Sequence, residues 1–322
     1  MQKSKGTIFL YGETHYVEAI HAHELELWRG HYAAGLRHLF VEMPYFMAEL
    51  LNMWMSEDSD HTLLTMYDEC SGFFNHQLFI LDFYRAIKRD TPETVFHGTD
   101  VGRAYAKTIK RYLNRLEMLG EENSMQYQNA LENFAQGEYF YETHDRVYRE
   151  HTLVKNFIRE FDSLRGESIM GIYGAGHTWP FAMDATTNSV PCMANQLRQR
   201  YSDALQTEDL RDWVKPTEPL DRGKITINEK TYATSYFARQ DNNKHPVYLH
   251  REFWRVENAY TDFASAPTTG DVLPYSNFPM KLEPSQIFMV IFTRTDGTQE
   301  TKFYRDDGTK WQGRWTTVEI NV

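Results

Sequence analysis

The stretch Thr7-Ile-Phe-Leu-Tyr-Gly-Glu-Thr-His15 decides the fold, because a strand-forming run leads directly into glycine, glutamate and histidine. Residues 7–11 are apolar, aromatic or β-branched, which is typical of a buried strand. Helical spacing follows over residues 17–34, and Gly35 stands where helices usually end. A second strand-like run at 38–41 completes the unit. The order strand, helix, strand is typical of parallel β-α units.

The same alternation continues along the first half of the chain. Further strand-like runs begin at residues 95 and 168, and helical patterns cover residues 46–55, 79–88, 103–119, 124–164 and 193–201. The pattern over 124–164 is predicted to break near Gly137. Together these segments predict an α/β domain over residues 1–205, in which a mostly parallel sheet is flanked by helices.

The composition changes after that domain. Residues 206–223 are polar and contain Pro216 and Pro219, which is typical of a linker. Strand-like runs then cover residues 224–228, 288–292, 301–304 and 315–320, with Asp296-Gly297 and Asp307-Gly308 as expected hairpin turns. The sequence therefore predicts a small antiparallel β domain over residues 224–322.

Composition and charge argue against several classes of protein. The 322 residues are 41% hydrophobic and 25% charged, which is typical of globular proteins. The net charge of -11, without a basic patch, argues against a nucleic-acid partner. No apolar run reaches the ~20 residues that span a bilayer, and no signal peptide is evident. Cys70 and Cys192 lack the spacing of a thiolate site, so a cytoplasmic location is expected.

Ionisable residues follow each of the four predicted parallel strands. The four motifs are Gly12-Glu13-Thr14-His15, Glu42-Met43-Pro44, Gly98-Thr99-Asp100 and Gly174-Ala175-Gly176-His177. Ligands of open parallel sheets bind outside the carboxyl ends of the strands, so these motifs are expected to converge. Each motif alone is also compatible with a turn or a helix cap. Their coincidence favours one functional pocket with two imidazoles and three carboxylates.

A further polar group lies on the long helical pattern. Asp145, Arg149, Thr152 and Asn156 fall within a narrow arc at helical spacing. Arg149 either forms a surface ion pair with Asp145, or faces the pocket and pairs with a carboxylate or a substrate anion. The sequence alone leaves both interpretations open.

The ordered motifs resemble a superfamily that contains erythromycin esterases, ChaN-like haem-uptake lipoproteins, TraB proteins and Tiki proteases. The resemblance spans about residues 7–180, and it implies a parallel sheet with a glutamate and two histidine motifs at the active centre. Matched position by position, it implies functional roles for Glu13, His15, Glu42, Asp100, Arg149, Asn156 and His177. Erythromycin esterases carry another histidine shortly after the second histidine motif, whereas 178–180 is Thr-Trp-Pro here. Macrolide cleavage is therefore not expected.

The resemblance implies hydrolysis of an ester, amide or peptide bond in a small molecule or peptide, by one of two chemistries. In the first, His15 is a general base held by Glu13 or Glu42, while His177 and Arg149 stabilise the oxyanion. In the second, a divalent Zn, Mn, Co or Fe ion activates the water. Its ligands would come from His15, His177, Glu13, Glu42 and Asp100. We favour the second because so many carboxylates would repel one another without a cation.

The main alternative is a ChaN-like haem- or metal-binding protein without catalysis. Axial ligands would then come from His21, His23, Tyr16 or Tyr45. His21 and His23, two apart on a helix, point about 200° from each other and cannot both ligate one ion.

The aromatic residues of the C-terminal domain support a third interpretation. Phe303, Tyr304, Trp311 and Trp315 either fill the core of a small sheet or form an interaction surface, such as a dimer interface or a lid. A homo-oligomer is therefore possible on sequence grounds.

Overall fold

The described part of the chain contains two sheets, a parallel sheet of five strands and a sheet of seven strands. The computed structural model describes residues 6–102, 105–241, 247–274, 277–311 and 314–322. The chain divides into an N-terminal domain, Met1–Arg211, and a C-terminal domain, Asp212–Val322. The predicted fold class, a parallel α/β domain followed by an antiparallel β domain, is confirmed.

Strands and helices alternate in the N-terminal domain. Its strands are β1 (Ile8–Glu13), β2 (His38–Pro44), β3 (Val95–Asp100), β4 (Ile169–Gly174) and β5 (Leu205–Asp209). Its helices are α1 (Glu18–Ala33), α2 (Tyr45–Met55), α3 (His61–Glu69), α4 (Ser71–Phe74), α5 (Leu78–Asp90), α6 (Ala106–Met118), α7 (Met125–Thr143), α8 (Arg146–Ser163) and α9 (Met193–Tyr201). The strands are parallel in the order β3-β2-β4-β1-β5.

A hydrophobic core lies on each face of the parallel sheet, because successive strand residues point to opposite faces. In β2, Leu39 and Val41 belong to one core and Phe40 to the other. Trp28 of α1 packs in the first core and Phe157 of α8 in the second. The carboxyl ends of the strands are therefore held by packed helices on both sides.

The edge strand β5 is missing from the sequence prediction. It pairs in parallel with β1, but its residues alternate between exposed and half-buried. An edge strand of this kind lacks the continuous apolar run that marks a central parallel strand. The linker predicted over 206–223 therefore begins inside β5, whereas the structure divides the chain after Arg211.

The predicted helix break near Gly137 is wrong, because the chain turns at His144. His144 has a φ of 55°, and Asp145 caps α8 by accepting a hydrogen bond of 2.9 Å from the amide of Tyr148. Gly137 lies inside α7, where a Cβ would overlap the carbonyl oxygen of Gly102. The glycine thus marks a close approach between a helix and a loop.

Two further helix boundaries differ from the prediction. The stretch between α2 and α5, for which the sequence predicts no helix, forms α3 and α4. The helix predicted from Arg103 begins as α6 at Ala106, and Arg103 lies outside the described residues. None of the helices in the described ranges is both long enough and apolar enough to cross a bilayer.

The C-terminal domain is an antiparallel sheet with one short helix, α10 (Tyr260–Phe263). Its strands are β6 (Asp221–Ile227), β7 (Lys230–Asp241), β8 (Tyr248–Val256), β9 (Thr268–Pro274), β10 (Ile287–Arg294), β11 (Gln299–Trp311) and β12 (Arg314–Ile320). Their order is β6-β7-β8-β10-β11-β12-β9. The strands β7, β8 and β9 are missing from the prediction, because polar and charged residues interrupt their apolar pattern.

One of the two predicted glycine turns of this domain is confirmed. Gly297, with a φ of 85°, lies in the turn between β10 and β11. The turn predicted at Asp307-Gly308 is wrong, since both residues lie within β11, where the pairing with β12 shifts register. Gly308, with a φ of 74°, accommodates this irregularity rather than a chain reversal.

The aromatic residues singled out in this domain have different environments. Tyr304 is buried in a core with Phe253, and Phe303 is half-buried against another core. The side chains of Trp311 and Trp315 lie outside the described part of the structure.

Candidate functional site

The predicted strand-end residues lie together around the buried carboxylate of Glu42, in β2. Its Oε1 accepts a hydrogen bond of 2.7 Å from Nη2 of Arg149, and its Oε2 accepts one of 2.6 Å from the amide of Gly174. Nε2 of His15 lies 3.8 Å from Oε2, and Nε2 of His177 lies 3.6 Å from Oε1. Side chains that follow β1 and β4, and one from α8, therefore meet at the carboxylate of Glu42.

Each histidine is also held by a glutamate of its own. Nδ1 of His15 donates a hydrogen bond of 2.8 Å to Oε1 of Glu13, and Nδ1 of His177 lies 2.8 Å and 3.0 Å from the two oxygens of Glu150. An ionised carboxylate only accepts hydrogen bonds, so each Nδ1 carries the proton. Nε2, the atom that faces Glu42 in both rings, then accepts a proton, or donates one from the imidazolium.

The glycine that ends β4 makes this arrangement possible. A Cβ at Gly174 would lie 2.9 Å from Nε2 of His15 and 3.2 Å from Oε2 of Glu42. Gly12 has a similar role in β1, where a Cβ would overlap the hydroxyl group of Thr178. The glycines before the two histidines therefore let side chains pack directly over the strand ends.

Arg149 faces the pocket and joins two of the predicted carboxylates. Its Nε and Nη2 donate hydrogen bonds of 2.9 Å and 2.8 Å to the two oxygens of Asp100, and Nη2 also reaches Glu42. Asp145, which the sequence offered as an ion-pair partner of Arg149, caps α8 instead. The guanidinium group supplies the positive charge that lets Asp100 and Glu42 lie close together in a buried place.

Electrostatics set the charge state of the central residues. Burial would raise the pKa of Glu42, but the charges of His177, Arg149 and His15 and the amide of Gly174 outweigh it and hold that pKa far below its usual range. Burial would lower the pKa of His177, yet the charge of Glu42 and the hydrogen bond to Glu150 raise it overall. An ionised carboxylate is thus flanked by an imidazole that favours its protonated form.

Asn156 acts on the backbone of the strand end rather than on the pocket. Its Nδ2 donates hydrogen bonds of 3.1 Å to the carbonyl oxygen of Thr99 and 2.9 Å to Oε1 of Gln136. Nδ2 of Asn133 donates to the carbonyl oxygen of Asp100 at 2.8 Å. These buried amides hold the end of β3 in position.

A cavity of about 70 Å³ opens beside His15. Its polar wall includes Glu13, His21 and Glu24, and the rest of the wall is mostly apolar and aromatic. Sequence reasoning did not identify Glu24, although its position three residues after His21 on α1 places both side chains on one helix face. It also did not identify Glu150 as the partner of His177.

Two of the five predicted metal ligands share an arginine as their partner. Asp100 and Glu42 are bridged by Arg149, which takes the charge-balancing role that the sequence argument gave to a metal ion. The five-residue metal set remains a prediction. Within the described ranges, ligand atoms of Glu13, His21 and Glu24 lie within 4.8 Å of one another, close enough for one ion.

Two of the four predicted haem ligands line this cavity, and the other two lie elsewhere in the N-terminal domain. Tyr16 and His21 line the cavity. His23 has its Nδ1 3.6 Å from Oε2 of Glu26, and Tyr45 is buried at the start of α2. The cavity is much smaller than the roughly 300–1,000 Å³ of most small-molecule sites. Haem binding remains a prediction that this cavity does not favour.

No protein-family model matches the sequence, and none of the curated proteins matches it. The chain is similar in part of its fold to three solved structures. A Bacillus cereus protein is 12% identical over 65% of this chain and 66% of its own, just under two thirds, with a TM-score of 0.45. A mutant erythromycin esterase, EreC, in its open conformation is 10% identical over 63% and 69%, with a TM-score of 0.48. The type III effector HopBA1 is 15% identical over 58% and 74%, with a TM-score of 0.34.

Proposed function

We propose that this chain hydrolyses an ester, amide or peptide bond at the group around Glu42. One observation carries the proposal: two histidines are each anchored through Nδ1 to a glutamate, and both turn Nε2 towards one buried carboxylate. An imidazole oriented by a carboxylate is a common general acid or base. One of them can carry both proton transfers that acyl hydrolysis needs, and the other can stabilise the oxyanion.

His15 is the general base in this proposal. Its side chain is 46% exposed, so water can reach Nε2, and Glu13 holds the proton on Nδ1. Nε2 takes a proton from a water molecule whose oxygen attacks the carbonyl carbon of the substrate. When the tetrahedral intermediate breaks down, the imidazolium returns the proton to the leaving alcohol or amine.

His177 stabilises the oxyanion. Its raised pKa favours the form with a proton on Nε2, and that proton can be donated to the carbonyl oxygen as negative charge develops there. Glu150 fixes the ring, and Arg149 with Asp100 fixes Glu42. In this arrangement Arg149 is a positioning residue, because both of its described donor atoms bind carboxylates of the protein.

The first test compares His15→Ala and His177→Ala with the unmodified chain on a panel of p-nitrophenyl esters, amides and peptides. We expect kcat/KM to fall by about 10²–10⁴-fold in each variant, because one loses the general base and the other loses the donor that stabilises the oxyanion. His61→Ala is the control, since His61 is an exposed residue of α3. The thermal unfolding temperature of each variant shows whether the fold is retained.

The pH profile provides a second readout. Activity should decline as the pH rises through the raised pKa of His177, because the imidazole then loses the proton on Nε2. The proposal is wrong if both variants keep the full activity of the unmodified chain, or if the unmodified chain hydrolyses no member of the panel.

A further inference from the structure

The cavity beside His15 contains buried polar atoms that lack hydrogen-bond partners among the described residues. They are Oε2 of Glu13, Nδ1 of His21 and both carboxylate oxygens of Glu24. Glu24 is 0% exposed. Nδ1 of His21 lies 2.9 Å from Oε2 of Glu24, a distance at which the protonated imidazole forms an ion pair with that oxygen.

Two carboxylates in such a place need a positive partner. Burying a carboxylate without one is among the least favourable arrangements in a protein. The ring of His21 packs against Phe79 and Phe83, at centroid distances of 5.5 Å and 5.6 Å, so the surroundings are apolar. Among the described residues, the ion-pair partners of Glu13 and Glu24 are the imidazoles of His15 and His21, which carry a charge only when protonated, and none is a lysine or an arginine.

The three side chains have the spacing of metal ligands. One ligand atom of each lies within 4.8 Å of the others, and Nε2 of His21 lies 3.7 Å from Oε2 of Glu13. Zinc bonds to nitrogen and oxygen are about 2.0–2.2 Å long, so two ligands of one ion stand up to about 4 Å apart. The ligand atoms of the three residues would therefore have to move closer together to bind one ion. One imidazole with two carboxylates suits zinc or manganese.

We propose that Glu13, His21 and Glu24 form a binding site for a divalent transition-metal ion, with Zn²⁺ as the preferred occupant. The site is separate from the group joined by Arg149. It does not require the proposed hydrolysis, because its evidence is the complete burial of Glu24 and the closeness of its carboxylate to Glu13 and His21.

The site is linked to His15 through one side chain. Oε1 of Glu13 accepts the hydrogen bond of His15, while Oε2 faces His21. An ion on Oε2 would fix the carboxylate and, through it, the tautomer and orientation of the His15 ring. The metal would thus act as a structural support for the general base.

A proton on the carboxyl group of Glu24 would compete with a metal ion for this site. Burial, and then the charge of Glu13, raise the pKa of Glu24 to about 7. Binding is therefore best measured at pH 8, where the metal faces less competition from protons.

The test uses the full chain without an affinity tag, first stripped with chelator and then titrated with ZnCl₂ in a calorimeter at pH 8. Elemental analysis after dialysis gives the stoichiometry. We expect one bound zinc per chain. Glu24→Gln and His21→Gln should weaken binding by more than about 100-fold, the upper end of the loss caused by removing a partner outside the ligand sphere. The unfolding temperature of each metal-free variant reports on folding.

Control variants separate this site from other zinc sites. His23→Gln, on the same helix, should leave the affinity unchanged, and so should His177→Ala. Loss of binding in His177→Ala would assign the ion to the strand-end group instead. Absence of zinc binding by the unmodified chain, or undiminished binding by Glu24→Gln, would also overturn the proposal. A protein that binds zinc here but hydrolyses nothing would contradict only the proposed function.

Discussion

At the scale of single residues, the position of His15 depends on the absence of a side chain at Gly174. The backbone there has a φ of -51° and a ψ of 134°, which an alanine adopts without strain. The space above it, however, holds the imidazole of His15 and the carboxylate of Glu42. The glycine therefore serves the packing of the site and not the shape of the backbone.

We expect Gly174→Ala to lower turnover by about 100-fold, the loss that a shift of about 1 Å in a reacting group can cause. The half-exposed ring of His15 can move away from the new Cβ, so the unfolding temperature should change little. Enzyme kinetics and thermal unfolding of the same preparation check both parts.

Gly30→Ala is the control for this variant, because nothing lies within 4 Å of a Cβ at that position. Equal turnover in Gly174→Ala and Gly30→Ala would contradict the packing argument.

At the scale of elements, α7 and the loop after β3 touch backbone to backbone. A Cβ at Gly137 would overlap Gly102, and a Cβ at Gly102 would overlap Asn133. The amide of Gly102 donates a hydrogen bond of 2.9 Å to the carbonyl oxygen of Asn133. Since Asn133 also holds the backbone of Asp100, this contact fixes the end of β3 that meets Arg149.

Gly137→Ala should therefore destabilise the protein, although alanine is the better helix former. Overlap with a fixed backbone costs about 1–3 kcal/mol or more, whereas an unhindered glycine-to-alanine change inside a helix gains roughly 0.5–1 kcal/mol. Urea unfolding of Gly137→Ala and of Gly30→Ala in α1 should give free-energy changes of opposite sign. A stabilised Gly137→Ala would show that the close approach is absent.

At the scale of the whole molecule, β5 decides where the first domain ends. It covers the outer edge of β1, which carries Glu13, and it comes after α9 in the chain. A boundary at residue 205 removes this strand from the domain. A boundary after Arg211 keeps it.

Truncation distinguishes the two boundaries. A chain of residues 1–211 should unfold in one cooperative transition. A chain of residues 1–204 should melt at a lower temperature and aggregate, because the edge of β1 is then unpaired. Calorimetry and size-exclusion chromatography of both chains check this. Equal behaviour of the two would mean that β5 contributes nothing to the domain.

Comparing size-exclusion profiles of the full chain and of residues 1–211 also tests the predicted homo-oligomer. An interface formed by the C-terminal domain would appear as an oligomer that the shorter chain has lost.

Local sequence was sufficient for the central strands and for the motifs that follow them. A buried parallel strand is marked by its own apolar residues, and in an open parallel sheet the strand ends share one edge. That is why the sequence predicts that Glu13, His15, Glu42 and His177 lie close together. Edge strands such as β5, and strands such as β7 that carry many polar residues, have no such mark.

The partners of these side chains depend on contacts between residues far apart in the chain. Arg149 pairs with Glu42 across 107 positions, and His177 with Glu150 across 27. Glu24 lies beside Glu13 and His21 only because α1 packs against the sheet and buries its carboxylate. Residue type and spacing specify which groups are available for chemistry. Burial and packing of distant segments set the charge, the orientation and the neighbours of those groups, because the desolvation and ion pairing that control them arise only in the folded chain.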